Sequence, residues 1–235
     1  QGDLIMMLME ESRGAWAVLL AQQPGTALFI GNAVSGTVAA LATMGWKVTV
    51  ADPSPERCAF AKMRDREYSP GRVSWVHAAH HELPFQATSF DLVVREDAAE
   101  GLDLAHAPRA RELCKLSRGA VVHLADNRFA YKRATGRRGQ FRRHSPLSFL
   151  SQALFPPPGL RSLMGHRREL GSDHAVRALA LYPDGREFSH VINLDGGLPR
   201  LTVGPREKVN IPKVLAKKAG LLPLLTPSFA LLSEA

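Results

Sequence analysis

Cysteine is scarce: Cys58 and Cys114 are the only two in 235 residues, which excludes a disulfide framework and offers no metal-ligand spacing. Both fall in stretches that read as helix, so the expected state is two buried thiols in a reducing cytoplasm. Long apolar runs are missing too. None reaches the roughly 18 residues of a membrane span, so no transmembrane segment is expected, and the first residues lack the basic region of a signal peptide. Acid is the third shortage, and it is local. Residues 127–235 carry 7 Asp and Glu against 18 Lys and Arg, whereas residues 1–126 carry 15 against 12. The second part is therefore net +11 and the first −3, and positive charge concentrated in this way attracts anions.

What is present is the skeleton of a nucleotide site. Ala27 to Ile30 is a short apolar run that leads into Gly31-Asn32-Ala33-Val34-Ser35-Gly36. A second run, Lys47 to Ala51, ends on Asp52, 21 residues beyond Gly31. A tight turn between strand and helix lets a ligand approach backbone N–H groups at the helix N-terminus. An acid closing the next strand can accept both hydroxyls of a ribose diol. Gly31-x-Ala33-x-x-Gly36 also approximates a dinucleotide fingerprint with one substitution, so the skeleton alone does not choose its cofactor.

The choice comes further along. Val73 to His77 reads as a third strand, followed by Glu82-Leu83-Pro84-Phe85 and then by Ser89-Phe90-Asp91-Leu92-Val93-Val94 as a fourth. With these the chain resembles the class I methyltransferases that use S-adenosylmethionine. In that family a polar loop closing on Leu-Pro-Phe, then a Ser-Phe-Asp-apolar strand, follow the ribose-binding acid at about this distance. The resemblance implies a Rossmann-like, doubly wound α/β fold with a mostly parallel seven-stranded sheet, a late antiparallel strand and an insertion before it. It also implies S-adenosylmethionine as cofactor, with Gly31, Ala33, Ser35 and Gly36 at the methionine-side turn, Asp52 on the ribose, and His80 and His81 beside adenine. The chain departs from the family at Ala33 and Ser35, where glycine is usual, and at Phe29 and Ala79, where acids are common. Those four residues count toward an alternative, a non-catalytic module that keeps the fold for binding.

Leu4 to Gln22 reads as an amphipathic helix anchored by Trp16, Leu19 and Leu20. Thr37 to Met44 and Glu56 to Arg66 read as crossover helices, the second led by Pro53 and Pro55, where proline costs no hydrogen bond. Ala107 to Leu116 is the next helix, and Gly119 to Asp126 a fifth strand, apolar enough to be covered on both faces. Strands alternating with helices predict a parallel sheet with its crevice at the carboxyl ends. A helix over Ser145 to Leu154, a strand over Ala175 to Tyr182 and a last strand over Ser228 to Leu232 complete one domain, 1–235. Its cofactor half is 1–126 and its acceptor half 127–235. The last two strands are expected as an antiparallel pair at the sheet edge, with a substrate-covering insertion at about 185–226 between them.

Methyl transfer from a sulfonium is an in-line displacement with a good leaving group, so alignment supplies much of the acceleration. Residues just past strand ends are the positional candidates: Glu96 and Asp97 after the fourth strand, with Asp97 as base or orienting group, and Asp126, Asn127 and Arg128 after the fifth, the last two on the acceptor. Arg128 to Arg143 holds seven Lys and Arg, Arg133 among them, and no acid, with Phe129, Tyr131 and Phe141 interleaved. Lys213 and Lys217 share one face of a short helix expected in the insertion. The expected function is methyl transfer to a small or lipid-linked anionic acceptor, such as a phosphosugar or cell-envelope intermediate. RNA would suit the arginine-aromatic mixture. No Asn/Asp-Pro-Pro-aromatic motif accompanies it, however, which ranks nucleic acid below the small acceptor. No metal is expected.

Overall fold

The computed structural model describes residues 16, 20, 23–68, 71–79, 81–97, 110–127, 161–170, 176–182, 190–195, 201–202, 223 and 226–234. The chain runs β1 (Thr26–Ile30), α1 (Gly36–Thr43), β2 (Lys47–Asp52), α2 (Pro55–Tyr68), β3 (Val73–His77), β4 (Phe90–Glu96), α3 (Ala110–Cys114) and β5 (Ser117–Asp126). It continues through α4 (Leu163–Leu170), β6 (Val176–Tyr182), β7 (His190–Asn193), β8 (Leu201–Thr202) and β9 (Ser228–Glu234). All nine strands join one sheet in the order β3-β2-β1-β4-β5-β9-β6-β7-β8.

Strands β1 to β5 pair in parallel, and the central β1 and β4 are buried along nearly their whole length, as strands covered on both faces are. The order steps outward from β1 to β2 and β3 on one side and to β4 and β5 on the other. That reversal opens a crevice beyond the carboxyl ends of β1 and β4. Alternation along the strands sorts the core into two layers. Phe29, Val48, Val50, Leu92, Val94 and Val122 face Val38 and Leu41 of α1 and Cys58 and Ala61 of α2, together with Trp16 and Leu20. Leu28, Ile30, Val93, Val121, Phe229 and Leu231 face Leu113 of α3 and Leu163 and Leu170 of α4.

The starts of the central strands are tied by one acid. Asp91 accepts from the Thr26 N–H and hydroxyl, both at 2.8 Å, and pairs with Arg118 of β5 at 2.6 Å. Gly25 precedes this clamp because a Cβ there would stand 2.4 Å from Asp91 Oδ2.

The late antiparallel strand is β9, inserted between β5 and β6 and paired with both. Among the described residues the sheet holds nine strands where seven were expected. His190–Asn193 and Leu201–Thr202, within the expected insertion, pair antiparallel beyond β6. They satisfy backbone groups that an edge strand there would leave open. The sheet edge is therefore β8, not β6, and part of the insertion extends the sheet. Helix α4 was not anticipated. The helices expected over Leu4–Gln22, Ser145–Leu154 and around Lys213 lie outside the described residues, save that Trp16 and Leu20 are buried.

Candidate functional site

The turn that leaves β1 is packed too closely for a side chain at its first position. A Cβ on Gly31 would lie 3.1 Å from the Phe29 ring and 3.2 Å from the Glu96 carbonyl. Beyond it, Asn32 accepts the Val34 N–H on its side chain and the Ser35 N–H on its carbonyl. Ser35 caps α1: its backbone is extended and its hydroxyl accepts the Thr37 N–H, satisfying a donor that the first turn cannot. Glu96, at the end of β4 and buried, then accepts the Ser35 hydroxyl at 2.9 Å and the Thr37 hydroxyl at 2.7 Å. A carboxylate at a helix N-terminus is also favoured by the helix dipole.

Asp52 closes β2 with its side chain wholly buried. Its carboxylate accepts the Ala33 N–H at 2.8 Å and the Ser54 N–H at 2.7 Å. Arg57, on the first turn of α2, supplies Nε at 2.8 Å and Nη2 at 2.6 Å. Burial pushes the Asp52 carboxyl upward, but Arg57 and the two backbone N–H groups outweigh it and hold it below the ordinary carboxylate value. Four donors fill the roughly four acceptor directions that a carboxylate offers.

A second charged cluster lies on the opposite face, under α4. Arg95 forks onto Asp97 at 2.6 and 2.9 Å and reaches Glu169 of α4 at 3.1 Å. Asp97 also accepts from His123 Nε2 at 2.6 Å. Burial would raise the Asp97 carboxyl, yet His123 and Arg95 hold it well below the usual range. His166 of α4 stacks edge-on to His123. Burial first, then the neighbouring His123, lower its pKa to about 3, so the ring is neutral at physiological pH.

A methyltransferase-domain family profile matches residues 28–118, from β1 into β5. Over that stretch the chain is similar to methyltransferase domains. In fold it is similar to geranyl diphosphate C-methyltransferase from Streptomyces coelicolor A3(2), at 14% identity and TM-score 0.55, covering 96% of this chain and 77% of that one. A protein from Anabaena variabilis assigned as a methyltransferase of antibiotic biosynthesis gives 19% identity and TM-score 0.50, covering 77% and 70%. An S-adenosylmethionine-dependent methyltransferase from Methanococcus maripaludis gives 16% identity and TM-score 0.41 over 50% of this chain, which spans 54% of its length. Among curated proteins no match was found.

The cofactor of such methyltransferases is S-adenosylmethionine, and the residues at the turn fit it on one condition. Asp52 stands at the strand end next to the turn, where a ribose diol would donate to it. The diol has to take the place of the Arg57 guanidinium, because the Ala33 and Ser54 N–H groups fill the remaining directions.

Of the expected site residues, the structure brings Gly31, Ala33, Ser35, Gly36 and Asp52 together at the turn. His81 is an exposed side chain 3.9 Å from Glu82. Asn127 is buried, and its amide nitrogen donates to the Pro223 and Thr226 carbonyls at 3.0 and 2.7 Å, which fixes the entry to β9. Asp97 points away from the turn into the cluster under α4. His80, Arg128, Arg133 and Lys213 lie outside the described residues. Arg57, His123, His166 and Glu169 were not singled out from sequence, and Glu96 only as a position following the fourth strand. The available signals were a histidine inside an apolar strand and His166-x-x-Glu169 at one-turn spacing.

Proposed function

We propose that the protein transfers a methyl group from S-adenosylmethionine to a small or lipid-linked anionic acceptor, within one domain of residues 1–235. The family profile over β1 to β5 and the sheet order support the reaction class. The observation that carries the acceptor class is the division of charge, −3 over residues 1–126 and +11 over 127–235. The similar Streptomyces protein was crystallised with geranyl diphosphate, an anionic head on an apolar chain. Such a molecule would suit the basic Lys213, Lys217 and Lys218 followed by the mostly apolar Leu221 to Leu225.

When bound, the cofactor supplies an electrophilic methyl group on a sulfonium. On this reading the turn from Gly31 to Gly36 lines its methionine side, Asp52 orients the ribose, and Glu96 holds the turn in shape. Asn127, Arg128, Arg133 and Lys213 serve the acceptor side. Asp97, on the face away from the turn, holds Arg95 and His123 and so braces β4 against β5. Cys58 and Cys114 are free thiols, in keeping with a reducing cytoplasm.

A second reading, a non-catalytic binding module, is favoured by one observation: the acceptor directions of Asp52 are already filled by the chain itself. Calorimetric titration with S-adenosylmethionine and S-adenosylhomocysteine, beside Asp52→Ala, separates the two. Binding that is lost in the variant supports methyl transfer. Labelled-methyl assays with isoprenoid diphosphates and phosphosugars, against matched neutral alcohols, then test the acceptor. Absence of binding by either ligand selects the module, and transfer only to neutral alcohols refutes the anionic acceptor.

A further inference from the structure

Three ring nitrogens in the cluster under α4 meet no hydrogen-bond partner among the described residues. They are Nδ1 of His123 and both nitrogens of His166, whose ring stands by the Asp126 backbone without reaching hydrogen-bond geometry. Buried polar atoms are almost always paired, so orphans gathered in one place call for an explanation. The two imidazoles lie with centroids 5.0 Å apart at 86°. Glu169 follows His166 by one helical turn and brings a carboxylate to the same point. One ligand atom from each of His123, His166 and Glu169 lies within 4.8 Å of the others.

Two imidazoles and a carboxylate are a donor set that zinc takes in three-ligand protein sites. His123 also has the outer contact such ligands need. Its Nε2 is bound to Asp97, which fixes the ring and leaves Nδ1 for a cation. We propose that His123, His166 and Glu169 bind a divalent cation of the zinc type, fastening α4 to β5 on the face of the sheet opposite the turn.

Tetrahedral ligands about 2.0–2.1 Å from a metal stand roughly 3.4 Å apart, so the three groups close by about 1 Å on binding. Arg95 keeps its contact with Glu169 Oε1. Half-exposed Arg161, 3.4 Å from Oε2, turns out to water as the cation arrives. Asp97 and Glu169 then outweigh the buried guanidinium of Arg95, which leaves these three groups net negative for a cation. The fourth position goes to water or another oxygen donor.

The test uses the full chain, freed of any histidine tag, loaded with zinc chloride and dialysed exhaustively. Elemental analysis should find about one zinc per chain, and cobalt in its place should give visible d–d absorption. His166→Phe keeps a ring in the core and Glu169→Gln keeps the side-chain volume. Each should lower retained zinc at least tenfold, and each should abolish the rise in melting temperature that zinc gives the unaltered protein. No zinc above the buffer level in the unaltered protein overturns the proposal. So does wild-type zinc content in both folded variants, which would place the metal on other histidines.

Discussion

Replacing Arg57 with Met should tighten the binding of S-adenosylmethionine. The Asp52 carboxylate accepts from four donors, and the guanidinium supplies contacts at 2.6, 2.8 and 3.2 Å. A ribose diol needs the same acceptor directions, so binding includes the cost of releasing Arg57. Asp52 is wholly buried, whereas the Arg57 side chain is 29% exposed and regains water when it leaves. The cost therefore falls between the few tenths of a kcal/mol of an exposed pair and the 1.5–3 of a buried charge-assisted bond, at about 1–2 kcal/mol. At about 1.4 kcal/mol per decade this is a 5- to 30-fold gain in affinity when the guanidinium is removed. Met retains the apolar stem without a donor. Without Arg57, burial of Asp52 is opposed only by the Ala33 and Ser54 N–H groups. Its carboxyl then rises, and the titration belongs at mildly alkaline pH, where it stays ionised. Isothermal calorimetry of the unaltered protein and the variant, each checked for an intact melting transition, reads the difference. Equal or weaker affinity in a folded Arg57→Met protein would refute the reasoning.

Gly25→Ala pushes the Asp91 carboxylate off Thr26, and the urea midpoint should fall by the equivalent of about 1–3 kcal/mol; an unchanged midpoint would show that the clamp does not matter. Stability should decline as pH falls below about 4, because Asp52, Asp91 and Asp97 all have folded values below their unfolded ones and their contribution is complete above the unfolded value and lost as pH falls from there toward the folded one. His166 acts in the same direction from higher pH: neutral when folded down to about 3, it gains a proton on unfolding below about 6.5, so the unfolded state binds more protons. Urea titrations from neutral to acid pH that gave one constant midpoint would contradict both. Asp97→Asn leaves Arg95 undercompensated and should cost about 3–5 kcal/mol, whereas Glu96→Gln, whose amide oxygen still accepts two hydroxyls, should cost about 1. Equal losses, measured by denaturant, would refute the separate roles.

The parallel half was legible because its signals are local. Gly31 at a crowded turn, Asp52 closing an apolar run and Val73 to His77 as a strand all follow from pattern and turn chemistry. Helix α4 was not, since Leu163-Met164-Gly165-His166 mixes a glycine, a histidine and an exposed Met164 into a weak apolar stripe. Its place is decided by Leu163 and Leu170 meeting Leu113 and Phe229 from elsewhere in the chain. Strands β7 and β8 are short and depend on β6 as a template, which a reading by local periodicity does not supply. Arg57 was hidden because its partner, Asp52, had been assigned to a ligand.

Adjacent carboxylates at the end of β4 show how strand geometry divides the work. Successive side chains of a strand point to opposite faces, and the ladder continues through Asp97, whose N–H donates to the Leu124 carbonyl at 2.8 Å. Asp97 is thereby fixed on the same face as Arg95, and Glu96 on the face of the turn. The two neighbours of β1 in the sheet then each supply one carboxylate to the turn that leaves it: Asp52 from β2 on the Ala33 N–H, Glu96 from β4 on the Ser35 and Thr37 hydroxyls. This accounts for the residues that stand where glycine is usual. The Ala33 methyl is wholly buried in the core beside Val38, and the Ser35 hydroxyl is engaged in capping α1 and in binding Glu96. The side chains that depart from the glycine pattern therefore hold the turn in place, and the group that a ribose on Asp52 would have to displace is Arg57.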